Sequence, residues 1–213
     1  MIKLTRPPKP TELTEEVQKA LTKEFIDSGK KKRVYAKSYI EEALMEKPLH
    51  GKCAYCECDV TKESNYMEVE HYHDKNGYPQ EVVEWDNLLP SCKHCNVNKG
   101  THDTYNEPII EPTKDDPNKH LYFQSYAIRG KTVLGKMTDK VVYLNDTRRL
   151  VVVRFDIGEA IRNKLDTLLE LTEEYASGEK NFTRRKNRII ATLKNLLIEA
   201  QPTAAYSATT ATI

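Results

Sequence analysis

The chain has 213 residues, 33 Lys and Arg against 32 Asp and Glu, a formal net charge of +1, and 38% hydrophobic residues. This composition is polar but globular, long enough for one or two domains with a buried core, and too rich in aliphatics for a disordered chain. The longest aliphatic run, Leu150 to Val153, is far short of the roughly 18 residues of a membrane span. The opening MIKLTRPPKP lacks the apolar stretch of a secretory signal, so a cytoplasmic protein is expected.

A total of +1 argues, taken alone, against binding nucleic acid by charge. Divided along the chain it conceals a pattern: net +3 over 1–50, −4 over 51–100, −3 over 101–128 and +5 over 129–213. An acidic middle lies between basic ends. The basic runs are Lys30 to Arg33 and the acid-free set Lys180, Arg184, Arg185, Lys186, Arg188 and Lys194.

Residues 11–28 read as a helix after Pro10, with Leu13, Val17, Ala20, Leu21 and Phe25 on one face. Ser38 and Glu41 have capping-box spacing and predict a second helix, carrying Ile40 and Leu44, that ends before Pro48. Two cysteine pairs follow, Cys53-Ala-Tyr-Cys56 and Cys92-Lys-His-Cys95, with Cys58 left over as a small apolar filler or a competing thiol. Without an export signal, such pairs more often bind metal than form disulfides. Two Cys-x-x-Cys turns supply the four thiolates of a tetrahedral zinc site. The 35 residues between the pairs (57–91) exceed the spacer of a simple ribbon, so something substantial is inserted.

Within that insertion, Tyr66 to Tyr72 alternates as a strand, with Met67, Val69 and His71 on one face and Glu68, Glu70 and Tyr72 on the other. Asn76-Gly77 signals a turn, and Val82 to Leu89 returns as strand or extended loop to the second cysteine pair. A short helix follows Cys95. Pro108, Pro112 and Pro117 predict an extended connector. Lys140 to Leu144 and Leu150 to Phe155 read as strands joined at Asn145-Asp146. Two amphipathic helices come next, separated at Ser177-Gly178 and forming an antiparallel pair. One carries Ile161, Leu165, Leu168, Leu169 and Tyr175, the other Ile189, Ile190, Leu193, Leu196 and Leu197. Their apolar faces suit either a partner or the rest of the chain. The Ala- and Thr-rich tail from Ala200 has no periodic face and is expected to be mobile.

The order of short motifs carries more information than any one of them. Val69-Glu70-His71 on a strand, Trp85-Asp86-Asn87-Leu88-Leu89 before the second cysteine turn, and Cys95-Asn96-Val97-Asn98-Lys99-Gly100 after it resemble the HNH endonuclease family. The flanks, including NEPIIEP and LNDTRRLVVVRFDIG, are similar to the HNH subunit of Septu-type anti-phage systems (PtuB), including its retron-associated form.

The resemblance implies an α+β protein: a zinc-braced ββα-metal (HNH) nuclease core with a helical N-terminal segment and a mainly helical C-terminal region. Its expected parts are a helical segment over 1–50, the nuclease core with its four-cysteine zinc site over 51–104, a connector with a β hairpin over 105–157, a helical pair over 158–200 and a mobile tail over 201–213. It further implies structural Zn²⁺ at Cys53, Cys56, Cys92 and Cys95, and a catalytic Mg²⁺ or Mn²⁺ held by Glu70 and Asn96. His71 becomes the general base, and Asn87 holds its loop by hydrogen bonding. The family's last position is often His; here it is Asn96, which favours an oxygen-liganded ion. Glu70 stands where Asp is frequent.

Around this set, His73 and Lys99 are expected either to contact phosphate or to stand behind the residues that do. Trp85 is expected in the core. Asn98 offers a substitute for Asn96, and His94 an exposed filler. The implied activity is hydrolysis of nucleic-acid phosphodiester bonds in bacterial defence, beside an ATPase subunit (PtuA-like). DNA is favoured, and RNA such as tRNA is the other substrate. The alternative is a non-catalytic zinc-ribbon module that binds nucleic acid or acts as an adaptor.

Overall fold

The computed structural model describes residues 1–46, 49–64, 66–176 and 182–210. The chain forms two compact units, Met1–Asn145 and Asp146–Ile213. Among the described residues it is a mixture of helices and two small two-stranded sheets.

The first unit opens with an irregular strap that leads into α1 (Glu15–Asp27). Thr14 caps this helix by accepting from Val17 N, and Glu15 and Glu16 complement the positive end of its dipole. Leu13, Leu21 and Phe25 are buried, so Leu13 belongs to the expected apolar face although it precedes the helix. α2 (Ser38–Leu44) buries Ile40 and Leu44 as expected. The expected capping box does not form. The cap position is Lys37, which makes no side-chain bond, and Ser38 is already inside the helix.

β1 (Glu68–His71) and β2 (Leu88–Ser91) pair antiparallel, with Glu68 opposite Ser91, Val69 opposite Pro90, Glu70 opposite Leu89 and His71 opposite Leu88. The Asn76-Gly77 turn is present, and the return to β2 passes through a short 3-10 turn at Trp85–Asn87. Pro90 lacks an N–H but its carbonyl accepts from Ala54 N (2.9 Å), which docks the first cysteine turn on the hairpin. α3 (Lys93–Lys99) follows at once, with Cys92 as its N-cap.

Arg6 fastens the N-terminal strap to this hairpin. Its guanidinium donates to Trp85 O and Leu88 O, both at 2.7 Å, and to Asp86 O and Thr113 Oγ1, both at 3.1 Å. Trp85 lies in the core and donates to Pro7 O at 2.9 Å.

Beyond α3 the structure departs from the sequence expectations. The connector does not stay extended to Asn118. Pro117 opens a short helix, α4 (Pro117–His120), where its fixed φ suits a first helical position. The hairpin lies earlier than expected, as β3 (Leu121–Gln124) and β4 (Ala127–Gly130). The expected strand Lys140 to Leu144 falls instead in and just after α5 (Val133–Val142), which Tyr143 ends in the left-handed conformation. Asn145 clamps this region: Oδ1 accepts from Ile128 N (2.8 Å), and Nδ2 donates to Ile128 O and Asp139 Oδ1 (both 2.7 Å).

The second unit begins with a π-helical turn, Thr147–Val151, that runs into α6 (Val152–Ala176). The expected strand Leu150 to Phe155 is therefore helical. α7 (Phe182–Glu199) runs antiparallel to α6, since Lys164 pairs with Glu199 while Arg185 Nε meets Glu174 Oε2 at 3.2 Å. The expected separator Ser177-Gly178, Lys180, and residues 211–213 of the tail lie outside the described residues. The preceding part of the tail is not featureless: α8 (Ser207–Thr210) packs on α6, with Tyr206, Ser207 and Thr209 buried. Ile161 and Leu171 are buried, whereas Leu165, Leu169, Leu193 and Leu197 remain exposed. Among the described residues, no helix is long and apolar enough to cross a membrane.

Candidate active site and metal centre

Pairing of β1 with β2 brings the two cysteine turns together. The sulfurs of Cys53, Cys56, Cys92 and Cys95 all lie within 4.8 Å of one another, and all four residues are buried. Cys56 Sγ and Cys92 Sγ are 3.7 Å apart. A tetrahedron with Zn–S bonds of about 2.3 Å has S···S edges of about 3.8 Å, so the spacing and the soft donors fit a metal such as zinc. Cys92 Sγ also accepts from Cys95 N at 3.5 Å, as a thiolate does at a helix N-terminus. Cys58 is not one of the four, but its buried thiol lies close enough to interact with Cys53, Cys56 and Cys92. Around the first turn, Glu57 pairs with Lys52 Nζ at 3.3 Å and with the Met1 amine.

His71 ends β1, 4% exposed, with the Tyr35 ring edge-on at 4.5 Å. Its Nε2 is 2.9 Å from Val82 O. A carbonyl can only accept, so Nε2 carries the hydrogen and Nδ1 the lone pair. Burial, with Lys75 and Lys99 nearby, lowers the imidazole to about 3, which leaves it neutral at ordinary pH.

Asn87 stands across the loop that follows. Its Oδ1 accepts from His73 N at 2.7 Å, and its Nδ2 donates to His73 O and Glu81 O, both at 3.1 Å. His73 itself stacks on Tyr105 at 3.8 Å between centroids, near-parallel at 7°. Thr104 Oγ1 donates to Tyr72 O (2.9 Å), so it must accept from His73 Nδ1 (2.7 Å). The structure thus builds His73 into an aromatic cluster with Tyr72, Tyr78 and Tyr105.

Glu70 and His71 occupy opposite faces of the strand. Glu70 faces α3, where its Oε1 is 2.7 Å from Lys99 Nζ in an almost fully buried pair. Lys99 Nζ also donates to His71 O at 2.7 Å. Burial pushes Glu70 up to about 7 against the opposing pull of Lys99. Tyr55, from the first cysteine turn, is fully buried, and the nearby Glu70 and Tyr72 add to the burial that raises its phenol well above the usual range. Asn96 is brought to Glu68 instead: Nδ2 donates to Glu68 Oε2 at 2.6 Å. Asn98 is turned back to His94 O (2.7 Å), and His94 Nε2 lies 3.3 Å from Tyr143 O.

The residues expected from their motifs thus fall into three groups: four clustered cysteines, the Asn87-held loop beside His71, and the α3 pairs on β1. Glu68, Tyr35, Thr104 and Tyr105 join them in the structure without having been marked by any motif. The alternation that groups Glu68 with Glu70 is the one available signal for the first of these.

No protein-family model matches the chain. It is 47% identical over 213 residues to a Septu protein PtuB of Bacillus thuringiensis, covering all of this chain and 81% of that protein. The chain belongs to the Septu PtuB family. A second Septu protein PtuB, from Bacillus mycoides, is 27% identical over 187 residues, which is 72% of this chain and 57% of that protein. Membership of the PtuB family agrees with the Septu-type likeness of the flanking motifs.

Proposed function

We propose that this PtuB-family chain is a metal-dependent HNH endonuclease that hydrolyses nucleic-acid phosphodiester bonds in anti-phage defence, with β1, β2 and α3 as its ββα-metal core and an ATPase subunit (PtuA-like) as its partner. The observation that carries this reading is His71 at the end of β1: its Nε2–H is anchored on Val82 O, which leaves the Nδ1 lone pair to take a proton. A bare zinc ribbon has no use for such a group.

In this reading Nδ1 of His71 takes the proton of the attacking water. Asn87 holds the backbone of the following loop at both the N–H and the C=O of His73, which fixes where His71 ends its strand. Glu70 and Asn96 offer hard oxygen donors that fit Mg²⁺ or Mn²⁺. The Glu70 carboxylate is held by Lys99 Nζ at 2.7 Å, a cation that a bound metal ion would have to displace, and Asn96 Oδ1 has no partner among the described residues. Such an ion supplies charge stabilisation to the phosphate and the departing 3′-oxygen. The four-cysteine zinc site sets the register of the whole core. The exposed Arg184, Lys186 and Arg188 of α7 offer sequence-independent phosphate contacts.

The test is incubation of the chain, alone and with its genomic-neighbour ATPase, with plasmid DNA and total RNA in Mg²⁺ or Mn²⁺. EDTA-reversible cleavage leaving 5′-phosphate and 3′-hydroxyl ends is expected, and whichever substrate is cut decides between DNA and RNA. A folded, zinc-loaded His71→Ala protein that cuts at the wild-type rate would falsify the assignment of the base. Binding without cleavage under every condition would leave the non-catalytic adaptor.

A further inference from the structure

α3 lies against β1 so that two pairs of side chains meet like rungs. Asn96 meets Glu68, and Lys99, one turn later, meets Glu70. The strand's period of two puts Glu68 and Glu70 on one face, and the helix's i, i+3 spacing puts Asn96 and Lys99 on one face. The Glu70–Lys99 rung is sealed, while Glu68 and Asn96 are half-buried.

The open rung has a direction. The Glu68 carboxylate oxygen accepts, so the 2.6 Å contact is made by the Nδ2 end of the Asn96 amide. With Nδ2 held, Oδ1 is the free end. The two ends of an amide are nearly identical in shape, so packing alone selects neither, and hydrogen bonding must choose. The choice has a chemical consequence: a hard cation accepts the amide oxygen and is repelled by the NH₂ end.

We infer that Glu68 is a positioning residue for Asn96: it fixes the amide so that Oδ1 is presented as the oxygen donor for the divalent cation. This rests on the reading of Asn96 as a cation ligand. Glu68 acts through Asn96 and does not touch the cation.

The experiment measures Mn²⁺ affinity of the zinc-loaded full chain by electron paramagnetic resonance, with zinc content and melting temperature read alongside. Glu68→Gln is expected to weaken Mn²⁺ binding by about twofold through orientation, because the new amide can either accept from Asn96 Nδ2 or donate to Asn96 Oδ1 and so no longer selects between the two. The same substitution is then made in an Asn96→Asp background, where both ends of the ligand are oxygens and no orientation is needed. There the loss is expected to disappear. The charge of Glu68 is removed in both backgrounds, so a general electrostatic effect gives equal losses in each. Equal losses, or a loss in neither, overturn the inference. Asn96→Ala, with Glu68 intact, tests the underlying reading separately: unchanged Mn²⁺ affinity there removes Asn96 as a ligand and the role of Glu68 with it.

Discussion

Lys99 Nζ bridges two consecutive residues of β1, the Glu70 carboxylate at 2.7 Å and the His71 carbonyl at 2.7 Å, from the last turn of α3. Both partners of the ion pair are almost completely buried, with side-chain exposures of 1% and 3%. The pair therefore decides where α3 sits on the strand that carries the candidate base. Removing one member strands the other charge in the core, which costs about 3–5 kcal/mol. Glu70→Gln and Lys99→Met should each cost roughly that amount in urea unfolding of the zinc-loaded protein. The double variant should cost clearly less than the two together, because neither charge is then orphaned. Strict additivity across this cycle would show that the two side chains do not rely on each other.

The neutral state of His71 has a signature in pH. Its folded value, about 3, lies below the ordinary imidazole value of 6.5. Above 6.5 both folded and unfolded chains hold it neutral, and it adds no pH dependence. As pH falls from 6.5 towards 3, the unfolded chain gains a proton that the folded one refuses, so stability is lost, by at most about 1.4 kcal/mol per pH unit. Glu70 works the other way: its folded value is raised to about 7, so its ionisation weakens the fold as pH rises from 4.5 to 7. The two slopes oppose each other in wild-type protein. The stability difference between wild type and His71→Gln removes the Glu70 contribution and should shrink steadily below pH 6.5. An assigned His71 imidazole signal should also keep its neutral chemical shift down to pH 5. Titration of that signal near 6.5 would rule out a buried neutral base.

The metal centre makes a different demand. Four sulfurs within 4.8 Å of one another and without a metal would hold thiols in mutual contact with little else to fix them. Bound zinc supplies folding energy directly, so Cys53→Ser or Cys92→Ser should abolish both zinc content and cooperative melting of the first unit. Cys58→Ser is the control. It replaces a buried thiol outside the set of four, and should keep zinc while losing only modest stability. Zinc measured by elemental analysis, alongside circular dichroism, reads both. Normal melting of a zinc-free Cys53→Ser protein would remove the metal from any role in the fold.

The parts of this fold that can be read in the sequence are those where spacing alone implies contact. Two Cys-x-x-Cys turns must meet if they share an ion, and alternation from Met67 to Tyr72 fixes which side chains share a face. The rung from Asn96 to Glu68 is not legible, because it depends on how α3 is placed along β1, which no local pattern states. The later hairpin is hidden for a conformational reason. Its two-residue turn is Ser125-Tyr126, both with positive φ (49° and 65°), where such turns usually advertise themselves with Asn-Gly. The run Lys140 to Leu144 shows the opposite failure: its β-branched residues suggest a strand, but packing of α5 against β4 overrides that weak preference. Val151 to Val153 is overridden in the same way within the second unit's helices.

That packing of α5 rests on an approach that only glycine permits. A Cβ built on Gly135 would lie 2.0 Å from His120 O, and one on Gly130 would lie 2.2 Å from Lys136 N, both backbone atoms that cannot swing aside. Thr132 caps the helix at the same place by accepting from Gly135 N at 3.2 Å, so the first turn cannot slide away without losing its cap. Gly135→Ala should therefore force α5 off the β3–β4 hairpin and cost about 1–3 kcal/mol, despite the better helix propensity of alanine. Gly77→Ala is the matched comparison. It sits in the Asn76-Gly77 turn, its φ is not in the left-handed region, and its added Cβ would meet Asp74 at an ordinary 3.6 Å. It should be close to neutral. Because α5 also packs on α3, strain at Gly135 should reach the core, and the Gly135→Ala protein should exchange the amide hydrogens of α3 faster than wild type while Gly77→Ala does not. Unchanged melting and unchanged α3 exchange in Gly135→Ala would mean that the hairpin and helix do not pack this closely.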